Sequence, residues 1–144
     1  RRARKPGQAE GHPVPELTTL LAAWGVALLI TGVLDAWWLG SMARRFYRRA
    51  LAPWMAEPVR WLPAVLFYLG YPLALVLLAL TPWPEDGTTA AWRSALAGLM
   101  AYGTYDLTNL ATVRGWPRRL APVDMAWGTV ASAAAGWGAW MVLT

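Results

Sequence analysis

The chain has 144 residues, of which 57% are hydrophobic and 15% charged, with 13 Lys+Arg against 8 Asp+Glu for a net charge of +5. An ordinary soluble domain is about a quarter charged, and here the apolar residues also come in long blocks. Cysteine is absent and histidine occurs once, as His12, which excludes disulfides, thiolate metal sites, cysteine nucleophiles and histidine-rich metal centres.

Residues 1–16 (RRARKPGQAEGHPVPE) are basic, contain Pro and Gly, and lack periodicity; they are expected to form a flexible tail. A signal peptide is the competing reading of a basic start before an apolar stretch, but that stretch is too long for one. Four apolar segments follow, at about 17–39, 61–81, 90–113 and 120–143. Each is close to the ~20 residues that a helix needs to cross a bilayer. Backbone groups in hydrocarbon must be satisfied within the segment, so helices are required. The expected fold class is therefore all-α: an antiparallel integral-membrane four-helix bundle. Pro72 is expected to kink the second helix, whereas Pro63 falls in its first turn, where proline is tolerated.

Charge sets the expected orientation. The connections after the first and third segments hold Arg44, Arg45, Arg48, Arg49, Arg60, Arg114, Arg118 and Arg119, while the connection after the second holds Glu85 and Asp86. Arginine-rich loops stay in the cytoplasm, which places both termini outside, although Arg1, Arg2, Arg4 and Lys5 of the tail argue the other way. Trp37, Trp38, Trp61 and Trp116 then mark the inner interface, and Trp83, Trp92, Trp137 and Trp140 the outer one.

The connection SMARRFYRRALAPWMAEPVR reads as an interfacial amphipathic helix, with Phe46, Tyr47, Leu51, Trp54 and Met55 on one face and arginines between them, ended or bent by Pro53. Its Arg44, Arg45, Arg48 and Arg49, with Arg114, Arg118 and Arg119, are the candidate sites for lipid or another anion. Because the basic residues flank apolar blocks, anionic membrane lipid is the expected partner and nucleic acid is not.

Three aspartates carry the stronger signal, since a charge inside a membrane segment costs roughly 2.5–3.5 kcal/mol. Asp35 lies four residues from the inner end of its segment, Asp106 seven and Asp124 four. At 1.5 Å per residue these depths are ~6, ~10 and ~6 Å, so residues from three helices should meet near one face of the membrane. On the third helix Tyr102, Asp106, Asn109 and Val113 share a face, with Tyr105 beside it; Tyr68 and Tyr71 are expected one to two turns deeper. Asp35, Asp106, Asp124 and Asn109 are the candidate catalytic residues. One reading pairs the aspartates with Arg44, Arg114 and Arg118 or Arg119 to fix the loops. The functional readings are a hard-cation site, a proton relay, or acid–base chemistry on a lipid head group. No spacing matches a strong metal or nucleophile signature, and no cofactor is expected. On the fourth helix Gly128, Ser132 and Gly136 recur at four-residue spacing, which suits close packing within the bundle or against a partner membrane protein.

The stretches YGTYDLTNLATVRGWP (102–117), VDMAWGT (123–129), LDAWWLGSMARRFYRR (34–49) and WLPAVLFYLGYP (61–72) resemble a family of bacterial membrane proteins catalogued as domain of unknown function number twenty-one seventy-seven. The resemblance spans all four helices, leaves out the basic tail, and implies a four-helix protein of the bacterial inner membrane without an established activity. Two functional classes are therefore expected: an accessory or interaction subunit of a membrane complex, or alternatively a lipid-modifying enzyme or small transporter built on the aspartates.

Overall fold

A computed structural model describes residues 15–42 and 44–142, and every regular element among them is helical. The expected tail up to residue 14, with His12, lies outside the described residues, as do residues 143–144 at the end of the fourth expected segment. Five α-helices follow one another: α1 (Leu17–Trp37), α2 (Arg44–Leu51), α3 (Trp61–Ala74), α4 (Gly87–Thr112) and α5 (Leu120–Met141).

The helix ends have local causes. Past α1 the chain widens into a π-helical turn, Trp38–Met42. α2 tightens into a 3-10 turn, Ala52–Trp54, that contains Pro53; proline has no N–H with which to continue the ladder. Pro72 lies inside α3, and just beyond it the helix widens into a second π-helical turn, Leu75–Ala79, closed by Leu80 N–H on the Leu75 carbonyl at 3.3 Å. Proline and such wide turns are recognised causes of helix bending. α4 begins three residues earlier than its apolar stretch suggests, because Asp86 caps it: the carboxylate accepts from Thr89 N–H at 2.8 Å and from the Thr89 hydroxyl at 3.0 Å. After α4 the chain turns at Gly115, whose φ of +79° is a left-handed conformation that glycine adopts without strain.

Two stretches, Leu17–Ser41 and Trp61–Ala79, are long and apolar enough to cross a membrane, each with a mean hydropathy of 2.1. α4 and α5 have 26 and 22 residues, but glycine, serine, threonine and tryptophan lower their hydropathy.

The packing is small and polar inside, large and apolar outside. Buried positions include Ala23, Ala27, Ala90, Ala131, Ala135 and Ala139, together with Thr31, Asp35, Ser94, Asp106 and Ser132. Exposed positions include Leu29, Val33, Leu62, Leu66, Leu78, Met100, Leu107 and Val130. A soluble domain arranges these classes the other way round. The expected row Gly128, Ser132 and Gly136 is buried between α4 and α5: a Cβ on Gly128 would enter the Tyr102 ring and one on Gly136 the Ser94 side chain. Gly98 of α4 lies in turn against Ser132 and the Gly128 backbone. The row is used for close approach within the chain, so it does not present a free surface. α1 joins the assembly through Ile30 over Gly138 and through Trp24 Nε1, which donates to the Leu69 carbonyl at 3.0 Å.

Candidate functional site

At the arginine-rich end of the helices a cavity of about 490 Å³ opens, and every helix contributes to its wall. Asp35 and Asp124 supply its acidic groups, and Tyr47, Tyr68, Tyr102, Tyr105, Trp38 and Trp127 its aromatic ones.

Asp35 is 5% exposed and both of its oxygens are engaged. Trp127 Nε1 donates to Oδ1 at 2.9 Å and the Tyr68 hydroxyl to Oδ2 at 3.1 Å. Trp127 is held by stacking on Trp38, with ring centroids 4.4 Å apart and planes 4° from parallel. Trp38 Nε1 lies 3.4 Å from the Tyr47 hydroxyl, which donates to Asp124 Oδ1. Thus a residue of the short helix α2 reaches a carboxyl of α5. Burial and the bond to Asp124 hold the Tyr47 phenol above its ordinary pKa, so it stays a neutral donor.

Asp106 lies behind Asp124 and is fully buried. Among the described residues no N–H or O–H group reaches either of its carboxyl oxygens, and its neighbour is the Asp124 carboxyl. Two ionised carboxylates offer only acceptors. Asp106 and Asp124 set two carboxyl groups side by side, and Asp106 has no donor of its own among the described residues.

A family model described as "Predicted membrane protein (DUF2177)" matches residues 20–141. The chain belongs to that family. No curated protein and no solved structure matches the chain. In this DUF2177 member the expected meeting of Asp35, Asp106 and Asp124 at one end of the helices is what the structure shows, but the expected arginine partners are not. Among the described residues the aspartates bond to tyrosine and tryptophan, while Arg44, Arg45, Arg48 and Arg49 line a pocket of about 370 Å³ on the surface of α2. Arg114 is exposed, and Arg118 and Arg119 face a separate cleft that includes Arg45 and Arg49. The physical reason is desolvation: a neutral hydroxyl or indole N–H enters an apolar interior at lower cost than a guanidinium.

Two further expectations change. Tyr68 is level with Asp35, not deeper, since the two are hydrogen bonded. Tyr71 does lie apart, bonded to Ser132 Oγ at 2.6 Å. Asn109 is half-buried on the outgoing turn of α4 and does not line the cavity. Among the described residues no three His, Cys, Asp or Glu side chains form a metal cage: Asp106 and Asp124 pair, but Asp35 is taken by Trp127 and Tyr68. Tyr47 is the site residue that the sequence did not yield; its place on the apolar face of an amphipathic helix was the available signal.

Proposed function

We propose that α1, α3, α4 and α5 all span the bacterial cytoplasmic membrane as an antiparallel four-helix bundle, with the arginine-rich end toward the cytoplasm and both termini outside. The inverted distribution of large and small residues supports this for α4 and α5, whose outward Met100, Leu107 and Val130 match those of the two more apolar helices. Large exposed apolar surfaces are rare on soluble monomers.

Within that bundle, the function that the geometry supports best is binding of a membrane amphiphile by its head group, as in a lipid-modifying enzyme or small transporter. The observation that carries it is the cavity: Asp35 and Asp124 face about 490 Å³ of space walled by aromatic rings, with no arginine closing it among the described residues. Carboxylates among aromatic faces favour a head that is positively charged or donates hydrogen bonds. Asp106 behind Asp124 adds a second carboxyl near that head, the residue type that acid–base chemistry there would use. The accessory-subunit reading has less support, because its small-residue row is already occupied between α4 and α5.

The test uses a photoactivatable long-chain alkylamine in nanodiscs, with the alkyl alcohol of equal length as competitor. Asp124→Asn and Asp35→Asn are expected to reduce labelling at the cavity while the protein stays monodisperse. Asp106→Asn gives Asp124 an N–H donor and is expected to keep the fold. Undiminished labelling in both Asp124→Asn and Asp35→Asn would remove the proposal.

A further inference from the structure

A second cavity lies at the same end and takes no part in the aspartate site. Two segments more than sixty residues apart in sequence converge on it: Arg45 and Arg49 come from α2, and Arg118 and Arg119 from the connection between α4 and α5. The cleft is about 620 Å³, with Phe46, Ala50 and Pro117 as its apolar lining. Arg45 and Arg49 are four residues apart on one helix, so they lie on the same face and repel one another. Folding then brings two more guanidinium groups to the same space. No hydrogen bond or ion pair within the described residues engages any of the four. Converging, uncompensated guanidinium groups are the arrangement that a multiply charged oxyanion satisfies, because each planar fork can present two N–H donors to phosphate oxygens.

The rest of α2 sharpens the assignment. Arg44 and Arg48 belong to the same helix but do not line this cleft; they face the surface pocket shared with Arg45 and Arg49. Four arginines serving only as a diffuse positive anchor would not need to be sorted in this way. The apolar lining of Phe46, Ala50 and Pro117 beside the cations also suits a molecule with carbon next to its charge.

We propose that Arg45, Arg49, Arg118 and Arg119 form a binding site for a phosphate group, either the head group of a phospholipid or a soluble phosphate. This rests on the cleft alone and stands whether or not the aspartate cavity binds an amphiphile.

The internal control is built into α2. Arg45→Gln/Arg49→Gln, Arg118→Gln/Arg119→Gln and Arg44→Gln/Arg48→Gln each remove two positive charges from the same end of the molecule. The full chain in detergent is titrated with phosphatidylglycerol, and bound lipid is counted by native mass spectrometry. The first two pairs are expected to weaken binding by about tenfold or more, and the third by less than about twofold. Equal losses in all three pairs would show a diffuse electrostatic field and overturn the site. Inorganic phosphate is then added as competitor: displacement of the lipid identifies a site open to soluble phosphate, and no displacement identifies a lipid head-group site. If a double variant does not yield folded protein, Arg49→Gln and Arg119→Gln are compared singly with Arg48→Gln on the same criterion.

Discussion

If Asp35 is held by two neutral donors, its energetic coupling to each should be measurable. The structure offers a clean perturbation, because Tyr68→Phe removes one hydroxyl and keeps the ring, which packs edge-on against Phe67 with centroids 5.3 Å apart. The lost contact is a 3.1 Å hydrogen bond to a carboxyl that is 5% exposed. Hydrogen bonds to charged groups contribute about 1.5–3 kcal/mol in soluble proteins. Side-chain pairs inside membrane proteins average about 0.6 kcal/mol and reach about 1.7. Asp35 is nearly sealed from solvent and has only two donors, so the upper part of the membrane range applies. The expected coupling between Tyr68 and Asp35 is then about 1–1.7 kcal/mol. It is obtained from a double-mutant cycle of Tyr68→Phe and Asp35→Leu, with unfolding followed by SDS titration in mixed micelles. Trp127→Phe in the same cycle reports the 2.9 Å indole bond and should couple at least as strongly. Coupling below about 0.3 kcal/mol for both donors, which is within the additivity expected of independent sites, would refute the account of how Asp35 is held.

Gly136→Val should destabilise the α4–α5 interface by about 1–3 kcal/mol, because its side chain enters the Ser94 side chain and approaches the Ala90 carbonyl. Gly25→Ala meets nothing within 4 Å and should be neutral or stabilising in the same detergent unfolding assay. At the opposite end of the molecule, the bonds from Thr89 hold the exposed Asp86 carboxyl below its ordinary value of 3.8. A depressed carboxyl pKa means that the cap contributes fully above that value and is lost as pH falls below it. Protection of the first-turn amides of α4, taken relative to their intrinsic exchange rates, should therefore fall on acidification below pH 3.8, and Asp86→Asn should abolish that dependence. Tyr47→Phe removes the donor to Asp124 and the acceptor for Trp38; it should raise proteolytic cleavage in the segment after α2 without unfolding the long helices. Unchanged cleavage would show that Tyr47 does not secure α2.

What the sequence revealed and what it withheld divide along physical lines. Depth is a local quantity: counting residues from the end of an apolar block at 1.5 Å each was enough to bring Asp35, Asp106 and Asp124 to one level. Hydropathy missed the start of α4, since the Asp86 cap fixes the first turn before the apolar stretch begins. Partner choice is not local. One of the two readings of the sequence paired the aspartates with arginine on charge, whereas tyrosine and tryptophan from α2, α3 and α5 supply the bonds to Asp35 and Asp124. The rotation of α2 was likewise hidden. Amphipathicity placed Tyr47 on the apolar face, but only packing decides whether that face meets lipid or the bundle. Asn109 shares a face of α4 with Asp106, and neither residue lines the cavity, whose α4 wall is Ala101, Tyr102 and Tyr105.

The unequal treatment of the three carboxyls argues against a purely structural role. Asp35 is satisfied by two donors and Asp124 by Tyr47, whereas Asp106 has none from outside the acid pair. If the aspartates served only to tie helices together, Asp106 would be the group most readily replaced by an apolar residue, because a buried polar group without partners costs stability. It instead lies behind the one carboxyl that both lines the cavity and touches α2. α2 in turn forms a wall of both cavities, through Tyr47 on one side and through Arg45, Phe46, Arg49 and Ala50 on the other. A head group that competes with the Tyr47 hydroxyl for Asp124 would loosen the helix that carries half of the guanidinium groups. By thermodynamic linkage, an anion held in the cleft would then alter affinity in the cavity by the same factor. If both cavities are occupied as proposed, the short helix α2 is the part through which occupancy at one would reach the other.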